Sequence, residues 1–324
     1  MSANIDGDML LTARSHEPLI TLLVPVYNEE ESVAIFIEAT SKVLGDAGLS
    51  FNYIFINDGS IDNTLAVLLG LQKSHDLTIV NLSRNFGKEL ALTAGIDVAN
   101  GDVVVPIDVD LQDPPEVIME FLNEWKKGYD MVYGVRIDRS SDTSFKRLTA
   151  ATFYRVFNSM THVDIPNNAG DFRLIDKRIV DVIKKLPERN RFMKGLFAWV
   201  GFPSKGVPYE RKSRAAGSTK WNYWRLWNFA LDGIIGFSTV PLRVWTYIGA
   251  AVSLLSFAYA LVIMLRVLVL GVDLPGYASI LTVILFLGGL QMLSLGVIGE
   301  YVGRIFVEVK GRPRYLIEKV YKPD

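Results

Sequence analysis

The pattern of apolar runs predicts an α/β fold with a largely parallel sheet, followed by an apolar helical hairpin. Three observations carry this expectation. Five short apolar runs alternate with helix-length stretches over residues 19–135, the arrangement that builds a parallel sheet covered on both faces. Polar clusters fall at the ends of those runs, where open sheets of this kind bind ligands. Near the C-terminus, residues 244–265 and 277–299 form stretches of 22 and 23 residues without a charge. At ~1.5 Å per residue each spans a hydrocarbon core of about 30 Å.

LITLLVPV (19–26) reads as a buried strand, and a helix pattern follows over 29–44. NYIFIND (52–58) is the next strand, with a helix from 62 to 73. LTIVNL (77–82) is the third, followed by a helix over 87–99. DVVVPID (102–108) is the fourth, with a helix over 114–126, and DMVYGV (130–135) is the fifth. The polar clusters at these ends are Tyr27–Asn28–Glu29, Asn57–Asp58–Gly59–Ser60, Ser83–Arg84–Asn85 and Asp108–Val109–Asp110.

Composition excludes several classes. The 324 residues hold 34 Lys+Arg against 35 Asp+Glu, a net charge of −1, without the basic excess of a nucleic-acid binder. There is no Cys, hence no disulfide, thiolate nucleophile or zinc finger. His16, His75 and His162 are scattered and form no HExxH, which argues against a zinc hydrolase. No GxGxxG and no GxxxxGK[ST] occurs, so neither a dinucleotide dehydrogenase nor a P-loop NTPase is supported. Mean hydropathy is +0.24 at ordinary charge content, because the apolar residues are concentrated in the two long stretches.

Asp108-Val-Asp110 closes the fourth strand, with Gln112 and Asp113 just beyond. Residues i and i+2 share one strand face, so two carboxylates there can hold one hard cation together. Mg²⁺ favours one or two carboxylates, completed by waters and substrate phosphates. A bare DxD is equally a helix cap or a solvated turn; its place at a strand end favours the metal.

VPVYNEEESV (24–33), NDGSIDNT (57–64), SRNFGKELALTAG (83–95) and DVDLQDPPE (108–116) resemble glycosyltransferase family 2, with its GT-A fold. NNAGDFRLID (167–176), RNRFMKGL (189–196) and GEYVGRIFVEVKGRPRY (299–315) narrow the resemblance to the polyisoprenyl-phosphate glycosyltransferases. Within these they resemble the bactoprenol glucosyltransferase branch, related to dolichyl-phosphate mannose synthase. The resemblance covers residues 19–315.

It implies inverting transfer of a hexose, glucose by this branch, from a UDP-sugar to undecaprenyl or another polyprenyl phosphate, with Mg²⁺ or Mn²⁺ as the Lewis acid. Asp110 is then the first metal ligand, Asp108 touches the nucleotide or a metal-bound water, and Gln112 is a candidate third ligand. Pro25, Tyr27 and Glu29 are placed around base and ribose, and Asp58 accepts the uracil N3–H. Arg84 and Lys88 fall where a diphosphate sits. Glu29 also suits the first turn of a helix, and Asp58 a turn cap. Asp171 is placed near donor sugar and acceptor, with Arg173 as its partner or a phosphate contact.

A lipid phosphate is already mostly ionised at neutral pH, so its attack calls for charge compensation more than for a base. Arg136 ends the fifth strand, and RKSRAAGSTKW (211–221) supplies Arg211, Lys212, Arg214 and Lys220 with no acid. The relatives close a Ser/Lys loop over acceptor phosphate and metal, which assigns Ser218 and Lys220 to catalysis and Arg136, Arg211, Arg214 and Lys220 to the acceptor phosphate. The competing reading is a polybasic patch on anionic lipid.

Residues 222–245 are rich in Trp and Phe with few charges, which suits helices lying in a membrane interface. The organisation read from sequence is therefore a polar N-terminal extension (1–18), a GT-A catalytic domain (19–219), amphipathic interfacial helices (220–243), a transmembrane hairpin (244–304) and a cytoplasmic tail (305–324). The alternative for the hairpin is a pair of buried helices in a large soluble core. Lys220, Arg225 and Arg243 on one flank and Arg304, Lys310, Arg312 and Arg314 on the other, against Arg266 in the connector, put both ends and the active site on the cytoplasmic side of a bacterial inner membrane. The N-terminus has no long apolar run and reads as no signal peptide. The resemblance further implies a homo-oligomer, a tetramer. Rival readings are transferases using GDP-mannose, UDP-galactose or a UDP-modified arabinose, a processive synthase, whose QxxRW is absent, and a non-catalytic nucleotide-sensing membrane protein, against which the intact Asp108, Asp110 and Asp171 argue.

Overall fold

The computed structural model describes residues 14–137, 160–161, 169–189, 191–211, 235–236, 238–270 and 276–323. The order of elements is β1 (Ile20–Val26), α1 (Ser32–Asp46), β2 (Phe51–Asn57), α2 (Thr64–Leu71), β3 (Leu77–Leu82), α3 (Lys88–Val98), β4 (Val103–Pro106), α4 (Val117–Lys126) and β5 (Met131–Arg136). β6 (Ala169–Asp176), α5 (Lys177–Lys185), α6 (Met193–Trp199) and β7 (Ser204–Tyr209) follow. Two long helices, α7 (Val240–Leu270) and α8 (Tyr277–Lys310), precede the last strand, β8 (Ile317–Tyr321).

All eight strands join one sheet in the order β7-β5-β6-β4-β1-β2-β3-β8. β1 pairs in parallel with β2 and β4, and β2 with β3. This matches the alternation in the sequence, and side-chain direction explains how the sheet is covered. Ile20, Leu22 and Val24 of β1 join Tyr53 and Phe55 of β2 in one buried cluster with Phe36 and Phe121. Leu23 joins Ile54 and Ile56 on the other face, with Leu92, Ile179 and Phe197. Successive strand residues thus serve opposite faces, and each fully buried aliphatic or aromatic side chain contributes about 1.5–3 kcal/mol.

The topology differs from a simple five-strand continuation. β5 does not lie beside β4; β6 is inserted between them, antiparallel to both. The register Val103↔Asp176 sets the end of β6 against the start of β4, so the first residues of β6 lie toward the carboxyl end of β4. The crossover from β3 to β4 passes from one side of β1 to the other. The strand order therefore reverses between β1 and β4, the position where open α/β sheets place their ligand crevice.

The C-terminal boundaries read from sequence are corrected. α7 starts at Val240, inside the stretch assigned to interfacial helices, and the rest of that stretch lies almost wholly outside the described residues. α8 runs past residue 304 to Lys310 and ends at Gly311, which adopts the left-handed conformation (φ 69°) that glycine takes without a Cβ penalty. Residues 317–321 are no separate tail: they form β8, paired antiparallel with β3. Among the described residues one segment is long and apolar enough to cross a membrane, Val240–Ile263, with mean hydropathy 1.9 and no burial. The expected second span falls on α8, where the side chains at 277–279, 281–282 and 285 lie outside the described set.

Candidate active site

A shallow, open cleft lies at the strand reversal, lined by Pro25 of β1, Pro106 at the end of β4 with Ile107 and Asp108 just beyond, Lys88 and Leu92 of α3, and Asp113, Asp171 and Phe172. The sequence-predicted residues Pro25, Lys88, Asp108 and Asp171 therefore converge. Asp171 arrives by the reversed direction of β6, which no sequence pattern announced.

The centre of the cleft is an interlocked charge cluster. Lys88 Nζ lies 2.7 and 2.9 Å from the two Asp108 oxygens and 3.1 Å from Asp171 Oδ2. Lys194 Nζ stands 3.6 Å from Asp171 Oδ1. Burial acts against the Asp171 charge, but Lys194, Lys88 and Arg173 outweigh it and hold its carboxyl far below the usual carboxylate range. Lys88 likewise overcomes its burial through Asp108 and Asp171 and stays charged. Asp171 thus faces Lys88 and Lys194 from two sides. Glu89, the next residue of α3, responds in the opposite sense: burial, then the Asp171 charge, push it up to about 7. Its carboxylate accepts from Met193 N at 3.2 Å.

Backbone conformation marks the two loops that flank the cleft. Among the described residues only Asn28 (φ 55°) and Leu111 (φ 54°) have positive φ without being glycine. Such residues are held in place by their surroundings and cluster at functional sites. Leu111 sits between Asp110 and Gln112, and Gln112 N donates to Asp110 Oδ1 at 3.2 Å. Asn28 is fixed on both sides: its N–H donates to Ser60 Oγ at 2.9 Å, and its Oδ1 accepts from Ile61 N at 2.9 Å.

The remaining residues expected on the donor side are placed as follows. Tyr27 is 36% exposed beside the strained Asn28. Glu29 Oε2 accepts from Ser32 Oγ at 2.8 Å, at the entry to α1. Asp58 is buried, and its oxygens accept from Phe86 N (2.7 Å) and Gly87 N (2.9 Å). It thus pins the β3–α3 loop, and burial raises its pKa. Gly59 lies so close to that loop that a Cβ would meet Arg84 C at 2.3 Å. The Arg84 guanidinium lies over the Phe86 ring at 4.1 Å.

Around Arg136, expected on the acceptor side, Tyr209 Oη donates to Asp113 Oδ1 at 2.5 Å and accepts from Arg136 Nε at 3.4 Å. The pairing of β5 with β7 sets Arg136 opposite Tyr209. Arg211 Nε stands 3.7 Å from Asp113 Oδ1 and makes no hydrogen bond among the described residues. Arg214, Ser218 and Lys220 lie outside the described residues. Sequence reasoning assigned no role to Glu89, Asp113, Lys194 or Tyr209. Glu89, Asp113 and Lys194 stand inside the quoted motifs, which was the available signal, whereas nothing in the sequence marks Tyr209.

Among the described residues no three His, Cys, Asp or Glu side chains converge on one point. β4 stops at Pro106, so Asp108 and Asp110 lie past the strand, with Asp110 in a turn. The shared strand face expected from sequence is not formed, and both Asp108 oxygens lie against Lys88 Nζ. Two neighbouring carboxylates still meet the minimum a hard cation needs when substrate phosphates and water complete its shell.

Comparison with known proteins gives concordant results. The family described as glycosyl transferase family 2 matches residues 21–183, and the GtrB C-terminal hairpin matches residues 240–305. The chain is 54% identical over 303 residues to an uncharacterized glycosyltransferase of Synechocystis sp., covering 93% of this chain and 95% of that protein. It is 49% identical over 304 residues to the SfII prophage-derived bactoprenol glucosyl transferase of Shigella flexneri, covering 94% and 98%. Glucosyl-3-phosphoglycerate synthase of Mycobacterium tuberculosis, solved with Mn²⁺, UDP-glucose and phosphoglyceric acid, aligns at 17% identity and TM-score 0.45 over 67% of this chain and 78% of that one.

Proposed function

The chain belongs to glycosyltransferase family 2 and also matches the GtrB C-terminal hairpin, and from this premise we propose that it transfers glucose from UDP-glucose to a polyprenyl phosphate at a membrane surface. The observation that supports this most is the cleft between β1 and β4, where Asp108, Lys88 and Asp171 meet at the reversal point of the sheet. A phosphate oxygen of the lipid attacks C1 of the glucosyl group. The C1–oxygen bond to UDP breaks as the new bond forms, UDP departs with the electron pair, and the configuration at C1 inverts.

The chain's own groups divide the work by location. The loops after β1 and β2, with Tyr27, Glu29 and Asp58, face the nucleotide. Asp108 and Asp110, with Gln112 beside them, would hold a divalent cation, Mg²⁺ or Mn²⁺. When bound, that ion neutralises charge developing on the leaving diphosphate. Lys88 keeps Asp108 and Asp171 together, so that Asp171 meets a sugar hydroxyl or the acceptor in one orientation. Arg136 and Arg211, joined through Tyr209 and Asp113, offer cations to the incoming phosphate. Ser218, Lys220 and Arg214 complete that side in the sequence reading.

The hairpin gives this chemistry its setting. α7 and α8 hold a soluble catalyst beside a two-dimensional pool of lipid substrate, with both termini and the cleft on the cytoplasmic side. The test is transfer of radiolabelled sugar to undecaprenyl phosphate in detergent, run with a panel of UDP- and GDP-sugars, with Mg²⁺ or Mn²⁺ and with EDTA. A chloroform-soluble product from UDP-glucose, abolished by EDTA, is expected. A product from a different donor reassigns the sugar. No lipid product from any donor overturns the reading.

A further inference from the structure

The last strand reaches the donor side of the cleft through a chain of hydrogen bonds. β8 pairs with β3 in regular antiparallel register at Ile79↔Tyr321, Val80↔Val320 and Asn81↔Lys319, but Leu82 pairs with Ile317. Glu318 is therefore an extra residue in the ladder. Such a bulge re-aims a side chain and occurs often beside active sites. Here Glu318 Oε2 accepts from Asn81 Nδ2 at 2.8 Å. Asn81 Oδ1 in turn accepts from Asn57 Nδ2 at 2.7 Å, and Asn57 Oδ1 accepts from Ser60 N at 3.3 Å. Ser60 Oγ accepts from the N–H of Asn28, the residue held at φ 55°.

Every bond in this relay points the same way, from the loop after β1 to a carboxylate at the sheet edge. Aligned hydrogen bonds polarise one another, and a carboxylate is the strongest acceptor with which to end the chain. Asn57 and Asn81 are buried, so their amides depend on protein partners and are costly to orphan. The strand that supplies Glu318 follows α8 directly. Arg189 N donates to Glu308 Oε1 at 2.9 Å, and Tyr315 Oη donates to Asp97 Oδ2 of α3 at 2.7 Å. The path from the membrane helix to the relay is thus tied to the catalytic unit along its length.

We propose that Glu318 is a positioning residue for the nucleotide donor: through Asn81, Asn57 and Ser60 it fixes the loops that carry Tyr27, Glu29 and Asp58. The proposal rests on the reading of those loops as the donor side. The experiment uses the full chain in detergent and compares wild type, Glu318→Ala, Glu318→Gln and, as a control on the same strand, Lys319→Ala. UDP binding is measured by calorimetry, and KM for UDP-glucose, KM for undecaprenyl phosphate and kcat by lipid transfer. Amide hydrogen exchange is followed over residues 57–64.

Glu318→Ala is expected to weaken UDP binding and raise the donor KM by about three- to ten-fold, the loss of one hydrogen bond. Exchange over 57–64 should rise, with kcat and acceptor KM within about two-fold of wild type. Glu318→Gln, which keeps an acceptor oxygen, should restore most of the donor affinity, and Lys319→Ala should leave it at the wild-type value. An unchanged donor KM in Glu318→Ala overturns the proposal, as does a Gln variant no better than Ala. Faster exchange without any change in donor affinity reduces Glu318 to a structural role and also overturns it. Wild-type protein that binds no UDP and transfers no sugar overturns the functional reading instead.

Discussion

Ile20, Leu22, Leu23 and Val24 of β1 are fully buried, whereas Leu254, Phe257 and Leu268 of α7 are 71, 72 and 75% exposed. Both regions are apolar sequence, yet one is shielded by the protein and the other is left to its surroundings. The difference lies in length and interruption. β1 is a seven-residue run between polar clusters, and it needs helices on both faces to leave water. α7 is a 31-residue helix, with only four residues before its first uncharged stretch. Exposed apolar surface on that scale marks an interaction or membrane surface. The sheet, with the helices and loops at its strand ends, carries the charged groups that the proposed chemistry uses among the described residues, so the two regions separate catalysis from location.

The largest expected effect breaks the chemistry and leaves the scaffold intact. Asp171→Asn removes the charge that Lys88 and Lys194 hold. Turnover should fall by about 10²–10³-fold, the range for losing one preorganised electrostatic group, with UDP affinity within a few-fold of wild type. Single-turnover kinetics and UDP calorimetry on the same preparations decide it. Equal losses in both would make Asp171 a binding residue.

A matched pair of truncations then probes the contrast directly. Phe55→Ala in the sheet should cost about 3–5 kcal/mol of stability, because the ring is fully buried. Phe257→Ala should leave the melting temperature of the catalytic unit nearly unchanged. Leu254→Arg separates lipid from water as the surroundings of α7. A charge at mid-membrane costs about 2.5–3.5 kcal/mol, so the variant should shift toward the alkali-extractable fraction. If Leu254→Arg stays fully membrane-bound and Phe257→Ala unfolds the protein, the hairpin is packed in a protein core.

The four parallel strands and their helices were legible because period and punctuation agree over residues 19–126. The place of Asp108 in the cleft was legible because the strand pattern ran out beside it, although β4 itself stops at Pro106. The insertion of β6 was not, since antiparallel pairing beside β4 is fixed by tertiary contact and not by any local pattern. Asp171 was therefore found by motif, and its ion pairs with Lys88 and Lys194 only by structure. The role of 317–321 was hidden for a similar reason. A five-residue strand at a sheet edge, with Glu318 and Lys319 exposed, has the composition of a polar tail.

That last strand gives the next prediction, of intermediate size. Ending the chain after residue 239 removes α7 and α8 together with β8, the antiparallel partner of β3. Replacing residues 240–310 by a flexible linker, with 311–323 retained, removes the hairpin alone. Both variants should leave the membrane fraction. The linker variant should melt several degrees above the shorter one, because β3 keeps its partner and Asn81 its acceptor. Identical melting curves would show that β8 adds nothing to the sheet.

The smallest expected effect concerns two neighbouring carboxyls that the same cluster drives apart. Asp171 is held far below the usual range, so its contribution to stability is present above its unfolded pKa and is lost only in acid. Glu89 is pushed up to about 7 from the ordinary carboxyl value of 4.5. Its contribution is fully present below about pH 4.5 and is lost as pH rises through 7, since the folded state then surrenders a proton that it holds more tightly than the unfolded chain does. Between pH 5 and 8, therefore, Glu89 titrates and Asp171 does not. Asp58 and Asp113 are also raised, chiefly by burial, so the pH dependence of wild type alone mixes three groups. The difference between Glu89→Gln and wild type isolates one, because Gln keeps an oxygen to accept from Met193 N. The variant should gain melting temperature relative to wild type by a few degrees from pH 5 to pH 8. A difference that stays flat across that window would mean that Glu89 is already ionised at pH 5 and that the Asp171 charge does not reach it.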